Sequence, residues 1–147
     1  MRAAVCTPYG PPEVLQVRDE PKPVPGTRDL LIRIDAAAVT VSECYIRNGA
    51  PTAPLALRVM LRLAVGITKP RRPILGMVLA GDVEATGAGV RRFGVGERVY
   101  AMTGLRLGAY AEYMTLGEAR IVAAAPRNLT AAEAATLPTA VSSLCTA

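Results

Sequence analysis

Hydrophobic and polar residues alternate along several short stretches of the chain, which is the pattern of β-strands with one buried face. The clearest stretch is 29–39, whose alternate positions form one apolar face: Leu30, Ile32, Ile34 and Ala36. The same alternation predicts further strands at 2–6, 13–18, 108–116 and 120–125, and a strand–turn–strand unit over 73–102. Short strands separated by turns rich in Gly and Pro predict a mainly β fold, as a small barrel or sandwich.

Helical spacing is confined to a few segments. Residues 41–47 predict one short helix. Near the end of the chain, Thr130 and Glu133 have the spacing of a capping box, in which each residue's side chain accepts from the other's backbone N–H. This box predicts a helix that reaches about Ala135, followed by a second helical run after Pro138.

The segment 54–72 differs from the rest of the chain because it has five basic residues and no acidic one. Arg58 and Arg62 share a helical face, and the remainder of the predicted helix is apolar nearly all round. Three interpretations stay open: a lid, a short helix that lies on the domain, and a helix on a membrane surface.

Composition fits one folded domain, since the chain has 147 residues and 51% of them are hydrophobic. The net charge of +5 is too small for a nucleic-acid-binding protein, and no aromatic residues are interleaved with the basic ones. No signal sequence begins the chain, no run of 18 apolar residues occurs, and the three cysteines are widely spaced. We therefore expect a reduced, cytoplasmic protein with no membrane span and no nucleic-acid partner.

The chain contains no histidine, and this excludes Ser-His-Asp and Cys-His catalysis as well as histidine-ligated metals. It also has no CxxC pair and no cluster of carboxylates, so we expect no metal site. Two Gly-x-Gly pairs, at 87–89 and 94–96, invite comparison with a dinucleotide-binding loop. Arg92 and Val99 stand where that fingerprint has its third glycine, and no helical pattern follows. We interpret both pairs as turns whose glycines take positive φ.

A polar cluster follows the strongest predicted strand and is the remaining candidate for chemistry: Thr40, Ser42, Glu43 and Tyr45. Such a cluster at a strand end is more often a helix cap than a site. From the residues alone, the interpretation stops at a β-rich domain with no recognisable active site of its own.

The order of motifs resembles the N-terminal, GroES-like half of the medium-chain dehydrogenase/reductase superfamily. The similar stretches cover essentially the whole chain: MRAAVCTPYGPPEVLQV, DLLIRIDAAAVTVSECYIRNG, PILGMVLAGDVEATGAGVRRFGVGERVYAM, GAYAEYMTL and RNLTAAEAATLP. Thr40 and Met77 stand where zinc alcohol dehydrogenases have a cysteine and a histidine ligand, and residues 45–49 resemble the zinc-free quinone oxidoreductase branch. The resemblance implies a GroES-like, partly open β-barrel with short helices and no Rossmann domain.

The same resemblance implies a hydride transfer from NADPH or NADH to a quinone, an enone or a related carbonyl, without zinc. Thr40 and Tyr45 would line the cleft for nicotinamide and substrate, and Ser42 and Glu43 would complete the catalytic set. Ser42 falls where zinc enzymes place a proton-relay hydroxyl. Met77 would form an apolar wall, and the segment 54–72 would border the cleft as a lid.

The resemblance also implies a division of the chain into a substrate domain, residues 1–126, and a helical linker, residues 127–147, that leads into a cofactor domain. We expect the chain to be truncated, to bind no NADPH or NADH, and to be inactive alone. The apolar segment 131–147 would be exposed, disordered or buried against another copy, which predicts a homo-oligomer formed through the exposed inter-domain face. Two alternatives stay open: a stand-alone GroES-like binding or co-chaperone module, and a non-catalytic relative that regulates or scaffolds.

Overall fold

The computed structural model describes residues 1–50 and 52–144, with side chains up to residue 140. Its strands and helices follow the alternation and the helical spacing of the sequence closely. In chain order they are β1 (Arg2–Cys6), β2 (Leu15–Asp19), β3 (Asp29–Ala38), α1 (Val41–Arg47), α2 (Leu55–Val65), β4 (Val78–Thr86), β5 (Arg98–Met102), β6 (Tyr113–Gly117), β7 (Ile121–Ala124) and α3 (Ala131–Leu144). No helix in this part of the chain has the length and apolar character needed to cross a bilayer.

The sheets are antiparallel wherever the structure describes them. Five strands form the main sheet in the order β6-β3-β4-β5-β7, and β1 pairs with β2 in a separate ribbon. Isolated bridges from Ala3 to Ala111 and from Val5 to Ile74 attach the ribbon to the rest of the fold. The result is a curled half-barrel with few short helices, which confirms the predicted mainly β, GroES-like class.

The core of the main sheet is built from small aliphatic residues, as the composition requires. Its buried members are Leu30, Ile32, Leu79, Val83, Val99, Ala101, Ala109, Met114, Leu116 and Val122. Leu30 and Ile32 confirm the apolar face predicted for 29–39, but the alternation breaks at a register shift between Ile34 and Ala36. A bulge places two residues opposite one, so Ala37 continues the core face while Ala36 turns toward α3.

The first Gly-x-Gly pair forms a turn, but for a different reason from the one predicted. Neither Gly87 nor Gly89 has positive φ, whereas Gly96 in the second pair does. A side chain at Gly87 would overlap the backbone carbonyl oxygens of Gly26 and Thr27. Close approach of two backbone segments, and not backbone handedness, therefore requires glycine at position 87.

The strand predicted at 108–116 begins only at β6. Leu107 and Gly108 both have positive φ, so the chain cannot be extended there. The preceding loop instead donates from the amides of Gly108 and Tyr110 to the carbonyl oxygen of Leu75. This loop brings Tyr110 to the inner side of α1.

The C-terminal helix corrects two expectations. The capping box of Thr130 and Glu133 is confirmed, since each side chain accepts from the other residue's amide. However, Pro138 lies inside one continuous helix rather than between two runs. Ala134 and Ala135 are buried against Ala80 of β4, so the sheet covers the first half of the segment 131–147. Its buried alanines therefore pack within the same chain, while Ala132, Glu133, Thr136 and Ala140 are exposed. The predicted self-association itself stays a prediction.

Candidate functional site

Helix α1 separates the polar cluster onto two faces. Glu43 and Ile46, three residues apart, are both buried and point into the fold. Ser42 is exposed in the first turn, Tyr45 is half-buried on the side of the helix away from Glu43, and Thr40 is the N-cap residue. The four predicted site residues therefore lie within six residues of chain, and Glu43 is the one of the four that is buried.

The carboxylate of Glu43 is only 2% exposed and joins three separate parts of the chain. One oxygen accepts from the backbone amide of Met77 at the start of β4. The other accepts from the backbone amide of Thr40 and, at 2.8 Å, from the hydroxyl of Tyr110. Because these donors occupy both oxygens, Glu43 ties α1 to the start of β4 and to the loop before β6.

The Tyr110 hydroxyl is the second half of this buried contact. Burial raises its pKa well above the ordinary value, and the hydrogen bond to the Glu43 carboxylate raises it further. The fold consequently favours the neutral phenol, which stays a donor to Glu43 throughout the neutral range.

A raised folded-state pKa makes stability depend on alkaline pH. The contribution of Tyr110 is complete below the unfolded-state value of about 10 and is lost as the pH rises above it. We expect the free energy of unfolding to fall between about pH 9 and pH 11, and to fall less steeply in Tyr110→Phe. Urea unfolding at several pH values measures both slopes. Equal slopes for the parent and Tyr110→Phe would contradict the assignment.

The outward face carries hydroxyl groups that are available to a ligand. Thr52 donates to the Tyr45 hydroxyl at 3.3 Å, which orients the phenol from the loop that follows α1. Thr40 and Ser42 lie at the N-cap and in the first turn of the helix. Hydroxyls both donate and accept, so this face can bind a carbonyl or a carboxamide.

Met77 lies directly beside this helix at the entry to β4. It packs, half-buried, on an apolar cluster that includes Ile46 and Leu75. Its amide donates to Glu43 and its carbonyl oxygen accepts from the amide of Thr103 at 2.7 Å. Gly76, which precedes it, has φ of 98°, and a side chain there would lie 2.7 Å from the Tyr110 nitrogen. The sequence before β4 thus positions an apolar side chain next to α1.

Helix α2 packs on the C-terminal end of α1. The Arg62 guanidinium lies 4.1 Å from the centroid of the Tyr9 ring, and the Tyr9 hydroxyl donates to the carbonyl oxygen of Gly66 at 2.7 Å. Only a very small cavity, about 10 Å³, is left between the helix and Ile46. The inner face of α2 is therefore closed, and its outer apolar side chains are exposed.

Sequence reasoning missed Tyr110 and the inward direction of Glu43. One signal was present: Thr40 and Glu43 have the same Thr-x-x-Glu spacing as Thr130 and Glu133. Recognised as a capping box, it would have marked Glu43 as a structural acceptor. The described residues contain no group of three His, Cys, Asp or Glu side chains that could hold a metal ion.

The curled antiparallel half-barrel, with α1 following strand β3, defines a GroES-like β domain. The model of the alcohol dehydrogenase GroES-like domain matches residues 26–127, and the chain belongs to this family. Within the medium-chain dehydrogenase/reductase superfamily it is a quinone oxidoreductase-like member, which confirms the resemblance seen in the sequence.

Relatives of known name agree with this assignment. The chain is 39% identical to a quinone oxidoreductase of Pseudomonas aeruginosa over 114 residues, which are 78% of this chain and 30% of that protein. A quinone oxidoreductase structure from Coxiella burnetii superposes with a TM-score of 0.77 at 26% identity, over 95% of this chain and 41% of that one. A mycobacterial structure complexed with NADPH superposes with a TM-score of 0.67 at 31% identity, over 89% of this chain and 35% of that one. The chain thus spans about 30% of the length of the Pseudomonas aeruginosa quinone oxidoreductase.

Proposed function

We propose that this chain is the substrate-binding portion of an NAD(P)H-dependent oxidoreductase that reduces quinones or other activated carbonyls. The observation that carries the proposal is the 39% identity to a quinone oxidoreductase across 78% of the chain. The outward hydroxyls of α1 support it, because the reaction needs donors beside the substrate oxygen. The ordered helix α2 weighs against the co-chaperone alternative, whose members use a flexible apolar loop.

In this proposal the two faces of α1 have different roles: one binds the substrate and the nicotinamide, and the other positions the helix. When bound, the reduced nicotinamide supplies a hydride, and the carbonyl or quinone gains a proton at oxygen. Tyr45, Thr40 and Ser42 hold the substrate oxygen and the nicotinamide carboxamide by hydrogen bonds, and a hydroxyl donor at the substrate oxygen stabilises its developing negative charge. Glu43 is a positioning residue, and Met77 provides an apolar wall where a metal ligand would otherwise stand, so the proposed reaction uses no zinc.

The division of the chain stays part of the proposal: residues 1–126 form the substrate domain, and residues 127–147 lead toward a cofactor domain. We expect the 147-residue chain alone neither to reduce quinones nor to bind NADPH. Calorimetric titration tests this, and binding in the micromolar range would contradict it.

A fusion protein tests the function itself. Joined to the remaining portion of the Pseudomonas aeruginosa quinone oxidoreductase, the chain is expected to support NADPH-dependent reduction of 1,4-benzoquinone. Tyr45→Phe in this fusion should lower kcat/KM by about 10- to 100-fold, because a hydrogen bond to a partly charged oxygen contributes about 1.5–3 kcal/mol. Tyr100→Phe is the matched control and should leave the rate unchanged. A folded fusion without activity, or equal rates for Tyr45→Phe and the control, would overturn the proposal.

A further inference from the structure

The positive charge of this chain is concentrated in one segment. From residue 44 to residue 81 there are six basic residues and no acidic one: Arg47, Arg58, Arg62, Lys69, Arg71 and Arg72. The remaining sequence has 11 basic and 12 acidic residues, so the net charge of +5 comes from this segment. Such a one-sided distribution creates a local field that attracts an anionic partner.

Exposed apolar side chains accompany this charge on α2. Leu55, Val59 and Leu63 recur every four residues and are 76%, 49% and 57% exposed, and Ile67 beyond the helix is 62% exposed. Together with Arg58 they line an open groove of about 600 Å³. A helix that presents leucine and valine to solvent beside arginine has the composition of an interfacial helix.

A second groove continues from the C-terminal end of α2. It has a volume of about 390 Å³, and its walls combine Ala64 and Val65 of the helix with Arg71, Arg72 and Arg106. Arg72 donates to the carbonyl oxygen of Arg106 at 3.1 Å, which holds the two segments together. Among the described residues, none of the ion pairs involves these three arginines. Three guanidinium groups without a carboxylate partner suit a phosphate.

We propose that α2 and the two grooves form a surface that binds an anionic lipid bilayer. Helix α2 lies in the plane of the interface with Leu55, Val59 and Leu63 below the head groups, and lipid phosphates bind in the arginine groove. A bilayer offers apolar depth and negative charge at the same place, which matches both features. A second copy of the chain would bring its own basic segment against this one, so like charges disfavour a dimer here. This inference does not depend on the proposed oxidoreductase function.

Flotation of the 147-residue chain with lipid vesicles tests the proposal. We expect binding to vesicles of phosphatidylcholine with about 30% phosphatidylglycerol at low salt, with little binding to pure phosphatidylcholine and a loss of binding as salt screens the charges. Equal binding to both vesicle types, or none to either, would overturn the proposal.

Matched variants locate the surface. A basic residue near an anionic membrane contributes about a fivefold change in partitioning, so Arg71→Gln, Arg72→Gln and Arg106→Gln together should reduce binding on the order of 100-fold. Arg91→Gln, Arg120→Gln and Arg127→Gln remove the same charge elsewhere and should have a much smaller effect. Equal losses for the two sets would overturn the assignment of this surface.

Two double variants test the contribution of the apolar side chains to vesicle binding. Val59→Gln with Leu63→Gln should weaken binding by at least tenfold at constant charge, whereas the exposed pair Val17→Gln with Val95→Gln should not. Circular dichroism verifies that each variant is folded. Soluble polyglutamate and glycerol phosphate distinguish the other sources of anionic groups: binding to either one without binding to vesicles would replace the bilayer with an acidic protein or a free phosphate ligand.

Discussion

Glu43→Ala is expected to lower the free energy of unfolding by about 3–5 kcal/mol. The substitution leaves three donors without their acceptor: the amides of Met77 and Thr40 and the hydroxyl of Tyr110. Each buried donor that loses its partner costs about 1–3 kcal/mol, and water that enters the space recovers part of the sum. For a chain of 147 residues the midpoint of thermal unfolding should fall by roughly 10 °C.

Glu43→Gln separates hydrogen bonding from charge. The amide keeps one acceptor oxygen and replaces the other with a donor, so at least one of the three donors faces another donor. We expect a loss of about 1–3 kcal/mol, between the parent and the alanine variant. Glu97→Ala, which removes an exposed carboxylate, is the control and should change stability by less than about 0.5 kcal/mol.

Urea unfolding of the parent and the three variants measures these differences. If Glu43→Ala proved as stable as Glu97→Ala, the carboxylate would not hold α1 to the sheet, and Glu43 would return to the set of groups available for catalysis. If the predicted order holds, the inward face of α1 is structural. The outward hydroxyls of Tyr45, Ser42 and Thr40 are then the remaining candidates of the cluster.

The position of the candidate site was predictable, but its orientation was not. Strand alternation and a polar cluster place Thr40, Ser42, Glu43 and Tyr45 after β3 and on α1, and the structure agrees. Which face of a seven-residue helix points inward depends on its partners, and these come from far along the chain. Met77 is 34 residues away from Glu43 and Tyr110 is 67 residues away. No local pattern reports such contacts.

Local sequence patterns also mispredict the structure at two other places in the fold. The bulge after Ile34 shifts the pleat by one residue, so strict alternation assigns Ala36 to the wrong face. Pro138 predicts a break, but packing of Ala134 and Ala135 on β4 keeps the helix continuous through it. In both cases tertiary packing overrides a local preference, whereas the strands themselves follow from local alternation.

Gly87→Ala is expected to lower the free energy of unfolding by about 3–5 kcal/mol, although only one methyl group is added. The new Cβ would overlap the carbonyl oxygens of Gly26 and Thr27, which are backbone atoms and cannot move as a side chain would. The amides of Gly87 and Gly89 donate to Asp29 and Thr27 at 2.9 and 2.7 Å, so relief of the overlap breaks bonds at the entry to β3. Overpacking alone usually costs about 1–3 kcal/mol, and the lost hydrogen bonds add to it.

Gly94→Ala is the matched control from the second Gly-x-Gly pair. Its φ is not positive, and its nearest neighbour would be the Glu97 Oε1 at 3.9 Å, which is ordinary contact. We expect a change of less than about 0.5 kcal/mol, or a small gain from the reduced entropy of the unfolded chain. Urea unfolding of both variants measures the contrast. Equal stabilities would mean that the approach of β4 to the segment before β3 is loose, and that the glycine at position 87 serves something other than packing.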